Sequence, residues 1–310
     1  MPEGDTVWRT ARGLHRALAG EPLTRAELRW GHLGDQDLRG ATTTEVVSRG
    51  KHLLHRLDDG RTLHSHLRME GSWRIEDTTR LRPGTLRRDD VRAVLGTARW
   101  TAVGHRLGML ELLPTAEEDR VVGHLGPDLL GPDWDPGRAV ANLRRRPERP
   151  IGAALLDQTN LAGIGTIYDS ETLFAERRHP WQPVGELGVA ELTRLVERAR
   201  RLLEVGRAHG IPNTTGDRRR GEGLYVHGRS GRPCRRCGGP VRVAMIGEPP
   251  HERTMFYCPT CQGGLGPTDD GRPQRPLNAR VSGLPEEGRP EIRGKVPRSA
   301  GKSRDRRERR

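Results

Sequence analysis

The chain has 310 residues, 33% of them hydrophobic and 4% aromatic, and carries a formal charge of +13. The length predicts two domains with a small appendage, and the charge points to a polyanionic partner, most simply nucleic acid. No apolar run approaches the roughly 20 residues of a membrane span, no basic amphipathic helix carries a bulky apolar face for a bilayer surface, and the first residues lack a secretion signal, so the expected setting is the cytoplasm, with the nucleoid and not a membrane as neighbour.

Met1-Pro2-Glu3-Gly4-Asp5 comes first. Loss of a methionine before a small residue leaves Pro2 as a secondary amine. An α-amino pKa of about 7.7–8.0 keeps part of it neutral and nucleophilic near neutral pH. Glu3 beside it is a carboxyl group placed for proton transfer. On their own these residues read first as a polar helix start. Val7, Ala11, Leu14 and Leu18 then recur at helical spacing and read as core. With Asp5 as the expected N-cap, the helix presents Pro2 and Glu3 at its positive end, which favours an anion such as phosphate.

From about residue 23 to 113 the pattern is strand-like. Runs at 46–47, 53–57 and 63–69 are β-rich or alternating, and Asp58-Asp59-Gly60-Arg61 is a hairpin turn between two of them. Further strands are expected at 92–95, 99–103 and 107–113, with bends at Gly96-Thr97-Ala98 and Val103-Gly104-His105. Many short strands after one helix predict a β-sandwich or barrel. The basic residues in this stretch are arginines except for Lys51; the only other lysines are Lys295 and Lys302. Lysine can be deprotonated where arginine cannot, which makes Lys51 a candidate for amine chemistry or a point contact to phosphate.

Residues 116–135 are rich in Gly-Pro-Asp turns and read as a linker, closing a first domain of 1–115. A helical domain follows at 136–225. Asp135-Pro136 gives an N-cap with proline at the first helical position, and helices are expected at 151–158, 167–177 and 189–208. Between the first two of these lies Asn160-Leu161-Ala162-Gly163-Ile164-Gly165-Thr166, a turn compact enough for close approach of backbone to phosphate. It is not a dinucleotide fingerprint, because no strand precedes it.

All four cysteines fall at 226–262, as Cys234-Arg-Arg-Cys237 and Cys258-Pro-Thr-Cys261. Two C-x₂-C pairs form a closed, structural zinc site; disulfides are disfavoured without a secretion signal. Strands at 241–243 and 255–257 make this a metal-stapled β-hairpin bearing Arg253 and other arginines. The tail at 263–310 has 13 Lys/Arg and 7 Asp/Glu and is expected to be disordered, attracting phosphate non-specifically or serving as a plain solvated linker.

In order along the chain, Pro2-Glu3-Gly4, Arg49-Gly50-Lys51-His52-Leu53, His66-Leu67-Arg68-Met69-Glu70-Gly71, Leu125-Gly126-Pro127-Asp128, Leu155-Leu156-Asp157-Gln158, Ala162-Gly163-Ile164-Gly165 and Tyr225-Val226-His227-Gly228-Arg229 precede or enclose the site elements just described. Together they resemble the Fpg/Nei family of bifunctional DNA glycosylases, from Pro2 to about Gln262, and the endonuclease VIII branch of actinobacterial type more than the formamidopyrimidine branch.

The resemblance implies an α+β multidomain fold: an N-terminal helix and β-sandwich, a helix–two-turn–helix domain and a four-cysteine zinc hairpin. It implies that Pro2 attacks the anomeric carbon of a damaged nucleotide, that Glu3 protonates the opening sugar, that Lys51, on a strand, binds phosphate and assists elimination, and that Arg253 contacts phosphate in δ-elimination. Met69 then fills the void left by the flipped base, or packs in the core. Arg106 matches the arginine that pairs with the orphaned base, although its surroundings depart from the purine-type enzymes. Asn160, Gly163, Gly165 and Thr166 touch the DNA backbone, with Thr166 standing where the family usually has asparagine.

The resemblance also implies a preference for oxidised pyrimidines, because the segment between Gly210 and Tyr225 is short where the purine-type enzymes carry a longer loop over the flipped base. The expected partner is damaged double-stranded DNA, with single-stranded or bubble DNA as further forms, bound by a monomer. Purine-type (formamidopyrimidine or 8-oxoguanine) specificity, a catalytically silent DNA-binding protein and a zinc-ribbon module are the alternatives.

Overall fold

One apolar stripe starts the fold. Val7, Ala11, Leu14 and Leu18 lie on helix α1 (Gly4–Leu18), and none is more than 3% exposed. Each buried Leu or Val of this kind contributes about 1.5–3 kcal/mol. A computed structural model describes residues 2–217, 219 and 221–276. In it α1 is capped by Glu3 and not, as expected, by Asp5, which lies buried inside the first turn. The Asp5 carboxylate instead accepts from Tyr168 Oη at 2.9 Å, a tertiary contact that competes with local capping.

Eight strands follow: β1 (Arg25–Leu28), β2 (Thr43–Arg49), β3 (His52–Leu57), β4 (Arg61–His66), β5 (Ser72–Asp77), β6 (Val91–Gly96), β7 (Trp100–His105) and β8 (Met109–Pro114), with a short helix α2 (Pro83–Leu86) between β5 and β6. They form two four-stranded antiparallel sheets, ordered β2-β3-β4-β8 and β1-β6-β7-β5. Val46, Leu53 and Leu63 of one sheet share a core with Leu28, Leu95 and Ala102 of the other and with the α1 stripe.

Three local expectations are corrected. Gly104 and His105 form no bend but continue β7, where Gly104 pairs with both Trp73 and Ala93. The strand expected to reach residue 69 stops at His66, because Arg68 adopts a left-handed φ of 51°. Gly50 and Lys51 are not on a strand but form the two-residue turn joining β2 to β3, with Gly50 at φ 58°.

Short α3 (Asp119–Val122) leads into α4 (Pro136–Leu143), α5 (Ile151–Leu156), α6 (Thr166–Ala175) and α7 (Val189–His209). Asp135 caps α4 as expected, accepting from Arg138 N at 3.0 Å. Leu143, Leu155, Leu173, Leu195 and Leu203 form a second core, which Ile246 and Met255 enter from the hairpin of β9 (Arg242–Ile246) and β10 (Arg253–Tyr257). A last short helix, α8 (Pro259–Gln262), carries Cys261.

The expected tail does not leave the fold at 263. Residues 263–276 strap the hairpin. Asp269 accepts from Arg242 Nε and from Tyr257 Oη, each at 2.6 Å. Gln274 exchanges two 2.8 Å hydrogen bonds with the backbone of Val243. Composition hides this because one acid and one amide do the fastening. The remainder of the expected disordered tail lies outside the described residues. Among the described residues no helix is long and apolar enough to cross a membrane.

Candidate active site and metal centre

Glu3 is 1% exposed, yet its carboxylate is fully provided for. It accepts the N–H groups of Gly165 and Ile167 at 2.7 Å each and that of Tyr168 at 3.4 Å. These are the unpaired donors at the start of α6, so the carboxylate sits at a positive helix terminus. Burial pushes the carboxyl above its ordinary value; Lys51, followed by the three backbone donors, opposes that shift. A methyl group on Gly165 would stand 2.6 Å from the Glu3 carboxyl carbon, which explains the glycine. Pro2, half-buried, immediately precedes Glu3 at the same spot.

Backbone holds this end of α1 in place. Gly4 N donates to Gly163 O at 2.8 Å, and Gly163 has φ 104°. Gly50 N donates to Asp128 Oδ2 at 2.8 Å, while Asp128 Oδ1 accepts from Leu130 N at 3.0 Å. Asp128 therefore latches the β2–β3 turn, and with it Lys51, onto the helical half. Burial lowers the Lys51 ammonium; Glu3 and Asp169 oppose this and Arg253 adds to it. Behind Lys51, His52 Nδ1 and His64 Nε2 are 2.8 Å apart and the His66 ring packs edge-on to His52. Burial holds His52 at about 3 and His66 at about 4, so both are neutral at physiological pH.

The structure thus brings Pro2, Glu3 and Lys51 together, with Arg253 within electrostatic reach of Lys51. Arg253 opens β10, exposed, and borders a concavity of about 530 Å³ also lined by Arg146, Arg149, Met245 and His251. Met69 is 65% exposed, which removes the core reading. Arg106 is exposed with φ 46°, 2.9 Å from Glu70 and 3.6 Å from Asp90.

The helical turn splits the expected contacts. Gly163 and Gly165 serve the Glu3 seat. Asn160 donates its amide to Ala154 O at 2.9 Å, closing α5, and Thr166 is buried at the first position of α6. Sequence reasoning missed Asp128 as a latch, although the motif containing it was visible. It also missed Asp169 and Glu171 on α6. Glu171 accepts from the N–H groups of Tyr225, Val226 and His227 at 2.8–2.9 Å and anchors that segment beside α6.

Cys234, Cys237, Cys258 and Cys261 place their sulfurs within 4.8 Å of one another. The Cys234–Cys261 and Cys237–Cys258 separations are 3.9 and 3.5 Å. A thiolate tetrahedron with metal–sulfur bonds of about 2.3 Å has edges of roughly 3.8 Å, whereas a disulfide requires about 2.05 Å. The four thiols are a metal-ligating set.

Residues 1–108 match the formamidopyrimidine-DNA glycosylase N-terminal domain, and residues 125–215 match its H2TH domain. A Streptomyces coelicolor protein named probable endonuclease 8 2 is 53% identical over 272 residues, covering 88% of this chain and 98% of its own. The chain belongs to the Fpg/Nei family. Another relative in that family, named DNA-(apurinic or apyrimidinic site) lyase Nei2, from Mycolicibacterium smegmatis, is 46% identical over 262 residues, covering 84% of this chain and 99% of its own. A Lactococcus lactis Fpg structure, a complex with abasic-site DNA, is 25% identical with a TM-score of 0.71, over 84% of this chain and 99% of that one. The fold is Fpg-like, and this chain has an H2TH domain and a hairpin with four clustered cysteines.

Proposed function

We propose that this protein is a bifunctional DNA glycosylase and AP lyase of base excision repair, acting on oxidised bases and on pyrimidines in preference to purines. The observation that carries the reading is the seat of Glu3: a buried carboxylate on the N-terminus of α6, next to Pro2 and facing Lys51. With the initiator methionine removed, the Pro2 amine attacks C1′ of the damaged nucleotide. The C1′–base bond breaks with its electron pair leaving on the base, and Glu3 passes a proton to O4′ as the ring opens. The resulting iminium acidifies C2′–H. Loss of that proton expels the 3′ phosphate, and a second elimination expels the 5′ phosphate. Lys51 and Arg253 supply positive charge to those phosphates.

The Mycolicibacterium smegmatis relative, named as a lyase at abasic sites, supports this chemistry, and the Lactococcus lactis complex with abasic-site DNA supports the partner. The pyrimidine preference rests on the connection after α7, a short turn drawn shut by Thr214 N donating to Gly223 O at 2.7 Å. The metal at the four cysteines is zinc in this reading. When bound, it ties the hairpin strands so that Arg253 is held toward the DNA.

Borohydride trapping on an oligonucleotide with one abasic site tests the reading. Wild type is expected to give a covalent adduct and Pro2→Gly none; equal yields would refute the mechanism, and no adduct from either would leave a silent DNA-binding protein. Excision of thymine glycol faster than of 8-oxoguanine is expected, and the reverse order would assign the purine branch. The same panel on single-stranded and bubble DNA defines the preferred form.

A further inference from the structure

Helix α6 carries an acid that the reaction above does not use. Asp169 follows Tyr168, whose N–H reaches Glu3, by one position, and its own N–H donates to Gly165 O at 2.9 Å. It therefore stands in the same helical turn that holds Glu3. Asp169 is 0% exposed, and neither of its carboxyl oxygens has a hydrogen-bond partner among the described residues.

The neighbouring acids differ. Glu3 and Glu171 each take three backbone donors, and Asp128 takes two. A buried carboxylate without donors is far less favourable than a neutral carboxyl. The charged groups acting on Asp169 are Glu3, at the cap of α1, and Lys51, in the β2–β3 turn, with Arg253 of β10 acting in turn on Lys51. Burial and then Glu3 push Asp169 well above the ordinary carboxylate range, and Lys51 opposes them. Where two carboxyls share one field, the one with donors takes the charge.

We propose that Asp169 is a positioning residue that keeps its proton throughout the reaction and so leaves Glu3 as the one carboxyl of the site that gives up a proton and takes the negative charge. Its effect on rate rests on the glycosylase reading; its protonation does not. Ionisation of Asp169 at alkaline pH puts a second negative charge beside Glu3, which makes Glu3 hold its proton more tightly as O4′ calls for it and opposes the approach of phosphate.

Two measurements on the full chain test this. In difference infrared spectra at neutral pH, wild type is expected to show a protonated-carboxyl stretch that Asp169→Asn lacks. On a duplex with one oxidised pyrimidine, Asp169→Asn is expected to excise within about threefold of wild type at neutral pH, with its alkaline limb displaced upward by about one pH unit or more. Asp169→Ala, also neutral, is expected to show the same displacement and serves if the asparagine variant does not fold. Absence of the band difference, superimposable limbs, or a loss of about 100-fold at neutral pH in a folded variant would overturn the proposal. If wild type excises nothing at any pH, the glycosylase reading fails, and the infrared band still decides the protonation.

Discussion

The carboxylate of Glu3 accepts the amide N–H of Gly165 at 2.7 Å, across 162 positions of sequence. A methyl group on Gly165 would lie 2.6 Å from the carboxyl carbon, so Gly165→Ala must push Glu3 off the helix terminus. A displacement of about 1 Å at a reacting group costs on the order of 100-fold in rate. Single-turnover excision is expected to fall by that factor while DNA affinity, read by fluorescence anisotropy, is unchanged. Wild-type rates would show that the seat of Glu3 is not needed.

Met69 gives a cleaner separation of stability from function. It is 65% exposed, so Met69→Ala is expected to change stability by no more than about 0.5 kcal/mol. An apolar wedge offsets part of the few kcal/mol of unstacking at a flipped base. Excision from a duplex should therefore fall by about tenfold, and excision from a single strand, which has no stacked partner to replace, should not. An equal loss on both substrates would assign Met69 to something other than wedging.

The strap over the hairpin is pH-sensitive in one direction. The Arg242 guanidinium holds Asp269 down at about 2. A depressed carboxyl contributes stability that is fully present above its ordinary range and is lost as pH falls from about 4 toward 2. Hydrogen exchange at Val243 N–H, corrected for intrinsic rate, is expected to stay protected at neutral pH and to lose protection over that acid window. Asp269→Ala leaves a buried guanidinium unpaired and is expected to cost about 3–5 kcal/mol; a melting temperature equal to wild type would count against the strap.

Metal removal should act at a distance. Ile246 and Met255 of the hairpin belong to the core of the helical half, so untying the four thiols disturbs more than the hairpin tip. Chelation or Cys237→Ser is expected to release zinc, lower the melting temperature and weaken DNA binding by at least about tenfold. Metal-free protein with unchanged melting and affinity would remove zinc from the account.

What the sequence showed, and what it hid, follow from the range of the interactions. The α1 stripe and the paired cysteines are periodic or closely spaced, so local pattern displays them. The start of α1 is not local: Asp5 is taken by Tyr168 and Glu3 by residues 165–168, so the N-cap is decided from the other half of the chain. Lys51 was legible by its rarity among arginines, yet its place in a turn depends on the Gly50–Asp128 latch. The strap was illegible because Arg242 finds Asp269 27 positions later, within a stretch that composition marks as tail. Asp169 gives no sequence signal at all: it is one acid on a helix, distinguished only by having no hydrogen-bond partner among the described residues.

The junction of Gly4, Gly50 and Gly163 also bears on how this enzyme can change. A methyl group on Gly4 would stand 3.1 Å from Gly163 Cα, and one on Gly50 3.0 Å from Ala162 Cβ. Gly50 and Gly163 also hold left-handed backbone, φ 58° and 104°, which a residue with a Cβ adopts only with strain. The start of α1 is thus mounted on a seam that resists added side chains, while Arg68, Met69, Glu70 and Arg106 are exposed. Under the proposed function, lesion preference is expected to change through those exposed residues and not through the seat of Glu3.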